Sequence, residues 1–285
     1  MSLKIAVLSG KGGTGKTLVA VNLAAVAGES SYIDCDVEEP NGYLFLKPVK
    51  IETEEIVIKT PRVNEAICNG CRQCVDFCKF NALAYINEKV MIFEEICHSC
   101  GGCAWVCPEK AVSERERVIG CIQRGMADKV KVITGMLNVG EASGIPVIKE
   151  MLRDVPAGNT FIDCPPGSAC IVMESIRDAD YCVFIAEPTR FGVHNLNMVR
   201  ELVELFGKPN GAVLNKCQEG ENPAEQYCVD KGIKILGKIP FEKELGTINS
   251  NGLIASRENA RYRDMFASLM ETIYEEVRNE TTLDS

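Results

Sequence analysis

The sequence predicts an α/β fold, a mostly parallel sheet flanked by helices, interrupted by a small α+β segment rich in cysteine. Three observations predict it. A short apolar strand, Leu3 to Leu8, runs into the glycine loop G-K-G-G-T-G-K-T at Gly10 to Thr17 and then into a helix-like stretch. Further along, strand-like and helix-like runs alternate as βα units do. Eight of the fifteen cysteines fall between Cys68 and Cys107, inside this alternation rather than beside it.

The first element is a strand, because its apolar run is too short for a signal peptide and leads directly into the loop. Lys16 to Ala27 has the length and apolar face of a helix, closed by Gly28. Between them lies G-x-x-x-x-G-K-T, the P-loop signature. In this setting the backbone N–H groups of Gly12, Gly13, Thr14 and Gly15 wrap phosphates. Lys16 neutralises the outer phosphates, Thr17 ligates magnesium, and the helix N-terminus adds a favourable dipole. A second strand, S-S-Y-I-D-C-D, ends at Asp34 and Asp36, and a later one, T-F-I-D, ends at Asp163. Acidic groups at strand C-termini stand where a doubly wound sheet handles magnesium and water.

Downstream, Tyr181 to Ala186, Gly211 to Leu214 and Lys234 to Ile239 read as strands, alternating with helices near Val193 to Phe206 and Ala224 to Lys231. Tyr262 to Val277 has helical spacing. Its Glu271, Glu275 and Glu276 suit a helix packed on the core better than a basic membrane-surface helix, and Arg278 to Ser285 reads as a frayed tail.

The glycine loop carries a second lysine, Lys11, directly after its first glycine. With D-C-D at Asp34 to Asp36 and D-C-P-P-G from Asp163, the chain resembles the deviant Walker A ATPases, the family of MinD, ParA, the nitrogenase iron protein and the Mrp-type iron-sulfur carriers. The resemblance covers most of the chain outside the cysteine block and implies ATP or ADP with Mg2+ as ligand. It implies that Lys11 reaches across a nucleotide-dependent homodimer to the partner's ATP. Asp36 would position the attacking water, and Asp163 would serve magnesium through its coordination shell. Asn215 and Pro240, each closing a strand, fall where the family recognises adenine. Slow, partner-stimulated hydrolysis is expected.

Cys68, Cys71, Cys74 and Cys78 are spaced C-x2-C-x2-C-x3-C, and Cys97, Cys100, Cys103 and Cys107 repeat the spacing. Two such runs form the bacterial two-cluster ferredoxin pattern, in which each run's fourth cysteine ligates the other cluster. One 4Fe-4S cluster is therefore assigned to Cys68, Cys71, Cys74 and Cys107, and the other to Cys97, Cys100, Cys103 and Cys78. Zinc also suits four thiolates, but the tight triplets with a crossed fourth ligand favour the cubane. The repeat extends past the cysteines, since C-K-F-N-A-L-A-Y matches C-P-E-K-A-V-S-E, each expected to enter a helix turn and then a strand; Lys79 stands where the second run has Pro108. The other seven cysteines form no C-x2-C pair and read as small buried hydrophobes, with Cys164 and Cys170 of interest because they flank P-P-G-S-A.

The expected organisation is a discontinuous ATPase domain, residues 1–48 and 140–285, and a ferredoxin-like insert, 61–116, with linking strands at 49–60 and 117–139. The insertion follows Asp36, whose segment should sense the γ-phosphate. With 285 residues, 46% hydrophobic, a net charge of -9 and no basic run, the chain lacks the footprint of a nucleic-acid binder. No apolar stretch approaches the roughly 20 residues that span a bilayer. A reducing cytoplasm is expected.

Together these readings point to an ATP-hydrolysing iron-sulfur protein that couples nucleotide state to electron transfer, or to iron-sulfur or metallocofactor assembly, through a redox or assembly partner. The alternative is a MinD/ParA-like positioning or regulatory switch whose clusters are structural or sensing.

Overall fold

The computed structural model describes residues 2–153, 155 and 157–283. From the N-terminus the elements are β1 (Lys4–Leu8), α1 (Lys16–Val26), β2 (Ser30–Asp34), α2 (Gly42–Leu46) and β3 (Val49–Val63). The cysteine-rich part holds α3 (Gln73–Phe77), β4 (Leu83–Ile86), β5 (Lys89–Ile92) and α4 (Gly102–Trp105). Then come β6 (Val112–Ala127), β7 (Val130–Leu137), α5 (Ile145–Arg153), β8 (Asn159–Asp163), α6 (Cys170–Ile176), β9 (Tyr181–Ala186) and α7 (Arg190–Leu205). The chain continues through β10 (Asn210–Cys217), α8 (Pro223–Lys231), β11 (Ile235–Pro240), α9 (Lys243–Ser250), α10 (Ala255–Glu258) and α11 (Ala260–Leu283).

One sheet runs β11-β10-β9-β1-β8-β2-β7-β6-β3. Its strands are parallel from β11 to β7, so helices cover both faces, and β1 and β9 read as nearly continuous apolar runs. On one face α1 and α11 pack through Leu18, Val21, Tyr262, Phe266 and Ile273. On the other, α5, α6 and α7 contribute Val147, Ile148, Val172, Leu196 and Val199. The tail expected to fray from Arg278 is instead helical to Leu283, the end of α11. Asp284 and Ser285 lie outside the described residues. Among the described residues, no helix is long and apolar enough to cross a membrane.

The sheet leaves its parallel pattern where the chain leaves the nucleotide-side strands. β6 is antiparallel to β7 from Gly120 to Ala127, and β3 is antiparallel to β6 along its length, from Val49↔Met126 to Val63↔Val112. The segments expected as linking strands are thus parts of the main sheet, and Val130 to Leu137 lies beside β2. β3 and β6 form a ribbon that extends past β7, with a one-residue register shift opposite Ile119. Such a bulge bends a strand pair. The cysteine-rich segment, residues 64–111, closes the far end, where the Asn64 N–H donates to the Ala111 carbonyl at 2.8 Å.

Within that segment the sequence repeat is also a conformational repeat. Gly70 and Ser99, Arg72 and Gly101, and Asn81 and Lys110 occupy matching places in the two cysteine runs, and all six have left-handed backbones, with φ between 52° and 73°. The expected helix turn lies before each fourth cysteine rather than after it: α3 ends at Phe77 and α4 at Trp105. The residues after Cys78 and Cys107 turn instead through left-handed Asn81 and Lys110 and lead into β4 and β6.

Candidate functional site

The C-terminal ends of the parallel strands bring Ser9, Asp34, Asp163, Glu187, Asn215 and Pro240 to one edge of the sheet, with the glycine loop bridging β1 and α1 there. Such an edge is where open α/β sheets bind ligands. The loop's shape depends on glycine at two crowded points. A Cβ on Gly10 would lie 2.3 Å from the Asn195 carbonyl oxygen of α7. One on Gly15, which has φ +99°, would lie 2.2 Å from Asn215 Nδ2.

Lys16 opens α1 and is only 7% exposed. Its charge is answered by Asp36 and Asp163, both of which feel it. Burial raises the Asp163 carboxyl above the usual carboxylate range, opposed by Lys16 and by the nearby Thr17 and Tyr32 hydroxyls. Tyr32 donates to Asp163 Oδ2 at 2.9 Å, and Asp163 Oδ1 is buried without a hydrogen-bond partner among the described residues. Unpartnered buried acceptors are rare, and this one fits a hydrated magnesium ion.

Asp34 and Asp36, alike in sequence, do different things. Asp34 ends β2, is buried, and accepts from the backbone N–H groups of Asp36 at 3.2 Å, Asn41 at 3.1 Å and Gly42 at 2.8 Å. It therefore organises the turn into α2. Burial and the neighbouring Asp163 raise its carboxyl, against those hydrogen bonds. Asp36 stands beyond the strand, half-buried, and burial pushes it up to about 6 although Lys16 opposes the shift.

Lys11 is held by its own chain. Its Nζ lies 2.5 Å from Glu187 Oε2 and 5.3 Å from the centre of the Phe191 ring. Lys216 shares the same carboxylate, 2.6 Å from Glu187 Oε1, and also donates to the Gly13 carbonyl at 2.9 Å. Burial would raise Glu187, but the two lysines hold its carboxyl below the ordinary range. Tyr32, Glu187, Phe191 and Lys216 were not singled out from sequence. The one signal available was that Glu187 and Lys216, like Asp163, stand at or beyond the ends of apolar strands.

Asn215 Nδ2 donates to the Thr14 carbonyl at 2.6 Å, tying β10 to the loop. Pro240 pairs with Cys217 one strand further out, and Phe241 beside it is 62% exposed.

In the cysteine segment, thiols from both runs share surroundings. Burial raises the Cys74 thiol, and Cys107 and Cys68 raise it further. Burial likewise raises Cys97, with Cys100 and Cys78 adding and Arg117 opposing. Cys103 is pushed up to about 11 by burial, then by Cys97 and Cys100. Cys78, Cys97 and Cys107 pack against the small core that holds Cys74 and Cys103, so thiols of both runs meet in one cluster. Among the described residues, no group of three His, Cys, Asp or Glu side chains closes to the spacing that would hold a metal ion. Of the pair flanking P-P-G-S-A, Cys164 is fully buried and its thiol pushed well up, while Cys170 is exposed at the start of α6.

The family model of the CobQ/CobB/MinD/ParA nucleotide binding domain matches residues 5–255. An uncharacterized protein of Methanocaldococcus jannaschii is 29% identical over 249 residues, covering 85% of this chain and 87% of its own. An iron-sulfur cluster carrier protein of Methanococcus maripaludis is 23% identical over 305 residues, covering 97% of this chain and 86% of its own. The septum site-determining protein MinD of Pyrococcus horikoshii, solved with Mg-ADP, superposes with a TM-score of 0.58 at 20% identity, covering 96% of each chain, and so shares the fold. With the glycine loop, the strand-end carboxylates and the parallel sheet in the same frame, the chain belongs to the CobQ/CobB/MinD/ParA nucleotide-binding family.

Proposed function

We propose that this chain binds and hydrolyses ATP with Mg2+, and that its nucleotide state acts on two 4Fe-4S clusters in the service of electron transfer or of iron-sulfur or metallocofactor assembly. The observation that carries this reading is the meeting of the two cysteine runs in one small core, where Cys78, Cys97 and Cys107 pack against a cluster holding buried Cys74 and Cys103. A two-cluster unit needs the runs to lie together, because each lends its fourth cysteine to the other.

The donor set fits the clusters. The segment's buried apolar side chains are Cys74, Ala82, Leu83, Cys103 and Ala111, two of them thiols, which is too little apolar burial to hold such a segment without a staple. Left-handed Ser99, Arg72, Asn81 and Lys110 add strain that the segment must offset. A four-iron cube spreads its thiolates more widely than one ion does, so ligand sets of the kind assigned need not converge on a point. When bound, the clusters supply reversible one-electron storage. Iron binds thiolates, so loading must release the cysteine protons, against the burial that raises Cys74, Cys97 and Cys103.

On the nucleotide side, the Gly12 to Gly15 amides and Lys16 hold the phosphates. Thr17 and Asp163 set the magnesium, and Asp36 orients the attacking water. Lys11 exchanges Glu187 for the nucleotide of a second copy, and Lys216 keeps Glu187 neutralised when it leaves. Asn215 and Pro240 border the base.

Anaerobic reconstitution tests the cluster reading: about eight irons per chain, four for each cube, and reduced 4Fe-4S spectra are expected, whereas zinc alone or a single cluster sinks it. A nonhydrolysable ATP analogue should then shift a cluster potential or promote dimerisation in a Lys11-dependent way. If neither responds, the two modules are only neighbours and the coupling is overturned.

A further inference from the structure

Arg117 lies on β6, in the part of the ribbon between the sheet and the cysteine segment. Its Nη1 and Nη2 hold Glu141 in a two-pronged bond of 2.6 and 2.7 Å, and Nη2 also donates to the Glu94 carbonyl at 3.1 Å. Glu94 opens the single turn before Cys97, and its carbonyl also accepts from the Cys97 N–H at 3.2 Å. One side chain therefore touches both the chain that enters the second cysteine run and a loop of the sheet domain.

That loop leads back to the nucleotide. Glu141 lies between β7 and α5, and Leu137 at its start donates to the Val37 carbonyl at 2.8 Å. Val37 directly follows Asp36 and is 1% exposed. It fills a cradle made by two glycines flanking the loop: a Cβ on Gly135 or Gly144 would lie 2.7 or 2.4 Å from its methyl groups. A shift of the Asp36 segment thus displaces the walls that carry Glu141, because close-packed contacts transmit displacement. A cavity of about 250 Å³, lined by Cys97, His98, Ser99, Glu141, Ser143 and Lys149, leaves room for the joint to move.

We infer that Arg117 is a positioning residue that joins the Asp36–Val37 segment to the Cys97 side of the cluster pair, through Glu141 on one hand and Glu94 on the other. The inference rests on the nucleotide-to-cluster coupling proposed above and names its route.

The test uses the full chain, loaded anaerobically with iron and sulfide. Midpoint potentials of both clusters are measured by EPR-monitored titration, with and without a nonhydrolysable ATP analogue, in wild type, Glu141→Gln and Arg117→Lys. Arg117→Gln identifies the cluster beside Cys97, whose potential falls when the cation is removed. In wild type the analogue should shift that cluster more than the other. Arg117→Lys keeps the charge but loses the fork, and with Glu141→Gln it should lose roughly half or more of the shift while nucleotide affinity stays within about twofold. Amide exchange over residues 94–101 should quicken several-fold in both variants. A wild-type shift that both variants retain in full overturns the joint and leaves the coupling intact. A wild-type potential that ignores nucleotide overturns the coupling and the joint together.

Discussion

The sheet domain and the cysteine segment keep their shapes by opposite means. The sheet is buried on both faces by helices, and its cores include large side chains such as Tyr32, Phe161, Phe184 and Phe266 at 0% exposure. The segment leaves Ile67, Phe77, Phe80 and Phe93 more than 40% exposed and Trp105 86% exposed, and buries little besides its thiols. A core that size does not offset the chain entropy of ordering the segment. The difference teaches that one chain can hold a self-sufficient fold and a dependent one, joined by a ribbon that belongs to the first.

The largest effect that tests this contrast is loss of the proposed clusters. Chelation under anaerobic conditions should open residues 64–111 to proteolysis and fast amide exchange while α1, α11 and the parallel strands stay protected. Uniform protection would break the comparison. Within the segment, Cys107→Ser should cost about four irons and remove the cluster of the first run, not the second, as read by iron content and EPR.

A smaller effect is expected at the glycine loop. Gly15→Ala places a Cβ against Asn215 Nδ2 at a left-handed position, so nucleotide affinity should fall about 10- to 100-fold, measured by calorimetry, with the cysteine segment unchanged. Tyr32→Phe deletes the donor to Asp163 Oδ2 in a site whose other oxygen already lacks a partner. It should cost about 1–2 kcal/mol in denaturant unfolding of the sheet domain.

The smallest effect is on pH dependence. Asp36 sits at about 6, above its ordinary 3.8, so folding favours its protonated form. That contribution is complete at low pH and is lost as pH rises through the raised value. Nucleotide-free protein should therefore melt lower at about pH 7 than at about pH 5, and Asp36→Asn should flatten part of the fall. A melting temperature that rises over this range would contradict the burial seen at Asp36.

What the sequence disclosed follows the same division. β1, the glycine loop and α1 were legible because phosphate chemistry demands their residues at fixed spacing, and the eight cysteines because ligand geometry does. Residues 49–60 and 117–139 were legible as strands but not as sheet members, because alternating polarity tells a strand's face and not its neighbour. The same limit hid the carboxylate shared by Lys11 and Lys216, whose members are brought together only by the crossings of β1, β9 and β10. Asp34 and Asp36 looked alike until the fold gave one to backbone amides and left the other facing Lys16. The end of α11 was missed because the apolar stripe stops at Val277, and the R-N-E-T-T that follows offers no periodicity from which to read a helix.

The ribbon's closure has a consequence for how such a chain could arise. Val63 faces Val112 across the strand pair, and the next residues, Asn64 and Ala111, are themselves hydrogen-bonded. The two points at which the segment leaves the ribbon are therefore already neighbours, as the ends of a tight hairpin would be. A stretch of coding sequence could be gained or lost between them in a single event, with no strand of the sheet re-threaded, and a few turn residues would close the gap.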